Sequence, residues 1–175
     1  VRELESRGVR TLVDGAHGPG MVPLALQSLG VAYYTGNCHK WLCTPKGSAL
    51  LYVRKDLQPG IRPLSISHGA NSTRTDRSRF RLEFDFTGTA DFTPFLCIPT
   101  ALRFLATLLP SGIAGLQAHN RELALAGREV LCRALGTTPP VPDSMIGSLA
   151  SVILPDSTAP MVPPHGLDPL QVRLW

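Results

Sequence analysis

The sequence predicts an α/β fold: a mainly parallel sheet with flanking helices, then the start of a small α/β domain. Two observations carry this. An apolar run at residues 10–15, a helical stretch at 22–30 and a β-branched and aromatic run at 31–37 follow in the strand, helix, strand order of a parallel crossover. After residue 91 the pattern turns helical, and a Pro-rich joint then leads to one more apolar run.

Each element has a local reason. ELESRG reads as a helix end with Gly8 in the C-cap role. RTLVDG is a short strand that stops at Asp14-Gly15, and VPLALQSLG is a short helix closed by Gly30. VAYYTGN is a second strand, and SALLYVRK a third, whose continuous apolar core predicts burial on both faces. Residues 55–90 read as a long connection with one short strand, the kind of loop that is often functional. DFTPFLCIPTALRFLATL is helical, with Pro94 tolerated in the first turn. IAGLQAHNRELALAGREVLCRAL is a long amphipathic helix closed by Gly136. GTTPPVPD is the joint, GSLASVILP a strand and TAPMVPPHG a loop. The predicted organisation is residues 1–110 as the end of a large domain, 111–139 as connecting helix and joint, and 140–175 as the start of a small domain.

Composition excludes several classes. Of 175 residues, 43% are hydrophobic and 17% charged, which argues for a real core and against disorder. The net charge of +4 is scattered except in RTDRSRFR, four arginines in eight residues. That cluster lacks neighbouring lysines and holds one aromatic, so a loop that meets an anionic ligand or a partner subunit is favoured over a nucleic-acid interface. The four cysteines, Cys38, Cys43, Cys97 and Cys132, match no disulfide or zinc spacing and read as free thiols, Cys38 and Cys43 buried near the site. No apolar run reaches membrane-span length. The expectations are no metal, no nucleic acid, no membrane and a cytoplasmic location, or an organelle if a transit segment lies upstream. Val1 opens the chain without a signal-peptide layout, and LQVRLW ends it without a stop signal, so the chain reads as an internal fragment.

The candidate chemistry lies in LVDGAHGPG and TGNCHKW. Asp14 and Lys40 both stand at the carboxyl ends of predicted strands, where open α/β sheets collect ligands. A lysine amine can form a Schiff base with an aldehyde if it is partly desolvated, and Trp41, Leu42 and the following strand supply apolar surroundings. A carboxylate beside a pyridine ring keeps the ring nitrogen protonated. A buried Asp14 would fill that role and would call for a cationic partner.

These two motifs together resemble the class V, fold-type I pyridoxal-phosphate enzymes, and within them the isopenicillin N epimerase-like group, over roughly residues 1–155. The resemblance implies part of a PLP-transferase large domain. Lys40 would carry the Schiff base, Asp14 would pair with the pyridinium, and His17 would face the phenolic oxygen. Asn37 and His39 would lie at the phosphate. Gly88 and Thr89 of FTGT would reach the phosphate of a neighbouring subunit, so a homodimer is implied. It further implies a small amino-acid substrate and an epimerase-like, carbon–sulfur lyase or aminotransferase reaction. The phosphate-binding helix start and the residue stacking on the ring would precede Val1, and the arginine for the substrate carboxylate would follow Trp175. This piece alone is therefore expected to be inactive, and a cofactor-free pseudoenzyme is the rival reading. Structural readings stand beside these: Asp14 as a turn cap, Thr89 as a helix N-cap, Trp41 as packing, and Lys46, His119 and His165 as surface residues.

Overall fold

The computed structural model describes residues 1–155 together with Gly166, Leu170 and Arg173. Two compact units divide the chain, Val1–Glu122 and a second beginning at Leu123. In the first, helix α1 (Arg2–Ser6) leads through Gly8, at φ 76°, to strand β1 (Leu12–Asp14). A tight turn, α2 (Gly18–Met21), and a one-turn helix, α3 (Leu26–Leu29), carry the chain to β2 (Tyr33–Asn37). Strand β3 (Ala49–Val53) follows. The sheet order is β1-β2-β3, with Leu12 opposite Tyr33 in a parallel pair and Thr35 opposite Leu51 in an antiparallel one.

The fold is α/β as expected, and its three-stranded sheet is mixed, with one parallel and one antiparallel pair. Segment 38–48 contains no helix and returns the chain directly, and only a crossover connection brings a following strand back in parallel. Strand β3 is also not buried on both faces: it alternates, and Leu51 is 44% exposed. An edge strand with one open face has the same apolar run as a buried one, so composition alone does not separate them.

Two apolar clusters support this sheet. Ala32, Val53 and Leu57 gather Tyr33, Ile61 and Phe80 at one end. Cys38, Leu42 and Leu105 gather Leu50, Ile98, Ile113 and Leu116 at the other. The second cluster joins the segment around Lys40 to helices α6 (Ile98–Leu105) and α7 (Gly112–Leu135).

Residues 55–90 hold no strand. Two 3₁₀ turns, Lys55–Gly60 and His68–Asn71, precede helix α4 (Arg79–Phe84), which Ser78 caps by accepting from the Arg81 N–H. Pro, Gly and Ser here favour turns, and the segment joins no strand ladder among the described residues. The arginine cluster is paired locally: Arg74 with Asp76 at 2.6 Å and Arg81 with Asp85 at 3.3 Å. The helical pattern after Asp91 is divided into α5 (Thr93–Leu96) and α6, with a proline in the first turn of each. The N-cap position of α5 is Phe92, not Thr89; Asp91 just before it accepts from the Thr93 N–H at 2.9 Å, and hydrogen bonds from the Thr93 side chain and then its N–H lower the pKa of the Asp91 carboxyl.

In the second unit, buried Arg128 donates to the Val141 carbonyl at 3.0 Å and pairs with Asp143. Residues 147–155 are not a strand, because the described residues offer them no ladder partner. Apart from Gly166, the loop expected at 158–166, with His165, lies outside the described residues.

Candidate active site

The carboxyl ends of β1 and β2 point the same way because the pair is parallel. Beyond β1, Gly15 N–H donates to the Thr35 carbonyl, and Asn37 N–H donates to the Ala16 carbonyl, so the chain leaves the sheet in register. Tyr34, 2% exposed, crosses over to this corner and its hydroxyl donates to the Gly15 carbonyl at 3.2 Å. A Cβ on Gly15 would fall 2.1 Å from the Tyr34 ring, which is why no larger residue fits there.

The turn that follows brings the two motifs together. Pro19 (φ −58°, ψ 120°) and Gly20 (φ 84°, ψ −24°) have type II turn angles. Gly20 is required twice, by its positive φ and by its approach to the Trp41 backbone, which a Cβ would meet at 2.6 Å. Gln117 of α7 donates to the Gly20 carbonyl at 3.4 Å from the other side.

The opposing wall is segment 38–48. Cys38 and Leu42 are both buried in the helix-backed cluster, and Lys40 between them faces the other way. That alternation explains a lysine inside an apolar run: its neighbours are the anchors. Cys43 N–H donates to the Lys40 carbonyl at 3.1 Å, and Cys43 itself takes a left-handed φ of 56°. Burial raises the pKa of the Cys38 thiol, whereas Cys43 is exposed, against the expectation that both are buried. The left-handed backbone turns Cys43 away from the cluster that holds Cys38.

Between these walls lies an open cavity of about 500 Å³. Asp14, His17, Tyr34 and Lys40 supply its polar groups, and Met21, Val22 and Leu24 are among its apolar ones. Lys40 Nζ is 3.1 Å from His17 Nε2, and Trp41 Nε1 donates to His17 Nδ1 at 3.3 Å. Asp14 is exposed rather than buried, and its Oδ1 accepts from the Ala16 N–H at 3.0 Å. No cation pairs with it among the described residues, because an exposed carboxylate is solvated and needs none. Burial raises the pKa of the Tyr34 phenol, and the Asp14 charge adds to that.

Asp14, His17 and Lys40 therefore share one cavity, and the other candidate residues do not line it. His39 lies behind it, its Nδ1–H donating to the Ser48 carbonyl at 2.8 Å. Asn37 closes β2. Gly88, at φ 131°, and exposed Thr89 belong to the connection between α4 and α5. Tyr34 and the indole N–H of Trp41 were not legible as site groups. The period of β2, which buries Tyr34 beside Val13, was the available signal for the tyrosine.

A primary amine, an imidazole and a carboxylate around one open cavity match the donor set that a pyridoxal ring requires: an amine for its aldehyde, a polar hydrogen for its oxygen and an acid for its nitrogen. Comparison with known proteins agrees. The aminotransferase class-V family model matches residues 1–144. Isopenicillin N epimerase of Amycolatopsis lactamdurans is 35% identical over 94% of this chain and 44% of that protein. A probable chloroplastic L-cysteine desulfhydrase of Arabidopsis thaliana is 31% identical over 83% of this chain and 30% of that protein. A cysteine desulfurase of Escherichia coli, solved by crystallography, superposes with a TM-score of 0.59 at 25% identity, over 75% of this chain and 33% of that one. The chain spans less than half the length of each of these relatives.

Proposed function

The chain belongs to the aminotransferase class-V family, which is pyridoxal-phosphate-dependent, and from that premise we propose that Lys40 is its reactive amine in a protein that acts on a small amino acid. The observation that carries this is the convergence of Lys40, His17 and Asp14 on one cavity at the carboxyl ends of two parallel strands. Pyridoxal phosphate, when bound, supplies an aldehyde for an amino group and an electron sink for charge left at the α-carbon. The protein's part is division of labour among three groups. Lys40 Nζ would hold the aldehyde and would be the base that takes or returns the substrate α-proton. Asp14 would keep a proton on the ring nitrogen. His17 would face the phenolic oxygen.

The active unit in this reading is a homodimer. Gly88 and Thr89 do not line their own chain's cavity, which suits a segment that reaches a partner's phosphate site. Asn37 and His39 are assigned to the phosphate end. The outcome at the α-carbon is either epimerisation or loss of a β-substituent across a carbon–sulfur bond. The similarity to an epimerase and to a desulfhydrase supports both, and the Lys–Asp pair serves either.

The test is reduction with borohydride after incubation of the full-length protein with pyridoxal phosphate, followed by peptide mapping. A pyridoxyl adduct on Lys40 is expected. An unmodified Lys40, or an adduct on Lys46 alone, sinks the assignment.

A further inference from the structure

We propose that Tyr34 is a positioning residue for the site: its buried hydroxyl holds the turn that presents Asp14 and His17 to the cavity. This rests on the reading that those two groups serve a bound pyridoxal ring.

Residues 15–18 form a β-turn. Gly18 N–H donates to the Gly15 carbonyl at 2.7 Å, and His17, at φ −93° and ψ −9°, has the angles of the third position of a type I turn. Asp14 is tied to the same turn, its Oδ1 accepting from the Ala16 N–H at 3.0 Å. How the carboxylate and the imidazole are presented is therefore set by where this turn sits on the sheet. A carbonyl oxygen has two lone pairs. That of Gly15 accepts the Gly18 N–H from within the turn and the Tyr34 O–H, at 3.2 Å, from β2. Among the described hydrogen bonds, no other side chain from outside the motif reaches the backbone of residues 15–18.

Burial makes this bond a firm one. Tyr34 is 2% exposed, and a buried hydroxyl without a partner is costly. The ring is also closely confined. A Cβ on Gly18 would fall 2.1 Å from the Tyr34 hydroxyl, and one on Gly36 would fall 3.1 Å from the ring edge. With Gly15, these glycines of the two motifs leave a space that the phenol fills, and close packing passes the position of a side chain on to the backbone around it. Tyr34 stands opposite Val13 in the β1–β2 ladder, so the hydroxyl anchors the turn to the sheet. The other ties are weaker or lie elsewhere: Asn37 N–H reaches the Ala16 carbonyl at 3.2 Å, and Gln117 reaches Gly20, at 3.4 Å. Because its O–H is given to a backbone carbonyl, Tyr34 acts through the turn and not as a proton donor to a ligand.

The experiment is amide hydrogen exchange, resolved to single residues, on the full-length protein without cofactor. Wild type and Tyr34→Phe are compared, and each is then titrated with pyridoxal phosphate. Tyr34→Phe keeps the ring and removes the hydroxyl alone. The amides of Ala16 and Asn37, which tie the turn to Asp14 and to β2, are expected to exchange about five-fold faster, the worth of one ordinary hydrogen bond. The Tyr33 amide, bonded to the Thr11 carbonyl at the far end of the same strands, should exchange as in the wild type. The Kd for pyridoxal phosphate should rise about five-fold. Unchanged exchange at Ala16 and Asn37 overturns the proposal. So does an equal acceleration at Tyr33, or a Tyr34→Phe protein that fails to fold, since the hydroxyl would then hold the whole sheet. A loosened turn with an unchanged Kd overturns it as well. Failure of the cofactor reading is separate: it appears in the wild type, as no borohydride-trapped adduct on Lys40, and the exchange measured without cofactor still decides whether the hydroxyl holds the turn.

Discussion

The two ends of the three-stranded sheet hold the same kinds of charged group and use them differently. At the amino end of β1, Glu5 accepts from the Thr11 N–H at 2.8 Å, from the Thr11 hydroxyl at 2.7 Å, and from Arg54 at 2.8 Å. Arg54 also donates to Asp56. Glu5, Arg54 and Asp56 are each spent on a neighbour, and Arg54 foremost, with Thr11, lowers the Glu5 pKa to about 2. At the carboxyl end, Asp14 accepts one backbone N–H and Lys40 meets an imidazole, with no ion pair between them. Charges spent on one another hold a fold together, whereas solvated charges without an ion pair at the mouth of a cavity are available to a ligand.

The sharpest break in this comparison is at Lys40. In the full-length protein, Lys40→Ala should abolish the borohydride-trapped adduct and lower turnover on the order of 10³-fold or more, the scale of losing a positioned base. Its melting temperature should change little, because the lysine faces a cavity and its buried neighbours Cys38 and Leu42 remain. A large loss of stability with activity merely scaled to the folded fraction would show that the upper end is structural too. Gly20→Ala is the next largest. It sets a Cβ against the Trp41 backbone at a φ of 84°, and should cost on the order of 2–4 kcal/mol in denaturant unfolding. Because that clash displaces the segment that carries Lys40, the yield of the borohydride-trapped Lys40 adduct should fall with it.

The lower end is broken by Arg54→Ala. This should reduce the melting temperature at neutral pH and leave the borohydride-trapped Lys40 adduct as it was. The sign of its pH dependence follows from Glu5. A folded-state pKa of about 2 against an ordinary value of 4.5 contributes stability that is present above 4.5 and lost as pH falls through 2. Wild type and Arg54→Ala should therefore differ most above pH 4.5 and converge in acid. Parallel melting curves across that range would show that the clasp does not set acid stability.

Much of this was legible in the sequence, and what was not has a physical reason. The β1–β2 crossover and the pairing of Asp14 with Lys40 at strand ends follow from period and position, which the chain carries locally. The direction of β3 does not, since it depends on how segment 38–48 returns. The exposure of Asp14 is likewise set by which side of β1 is covered. The tryptophan next to Lys40 looks like packing in sequence, because its use depends on His17, brought within 3.3 Å by a turn at Gly20. Local chemistry is readable; a hydrogen bond between two distant motifs is not.

Lys46 gives the smallest effect and the cleanest control. It lies six residues after Lys40 in the same segment, yet it is exposed in a turn and lines no part of the Asp14–His17 cavity. Lys46→Ala removes a solvated cation that makes no ion pair among the described residues, so stability should move by no more than about 0.5 kcal/mol. The adduct on Lys40 should match the wild type. An adduct on Lys40 that weakens in Lys46→Ala would show that reactivity in this segment does not come from convergence on the Asp14–His17 cavity, because Lys46 stands outside it.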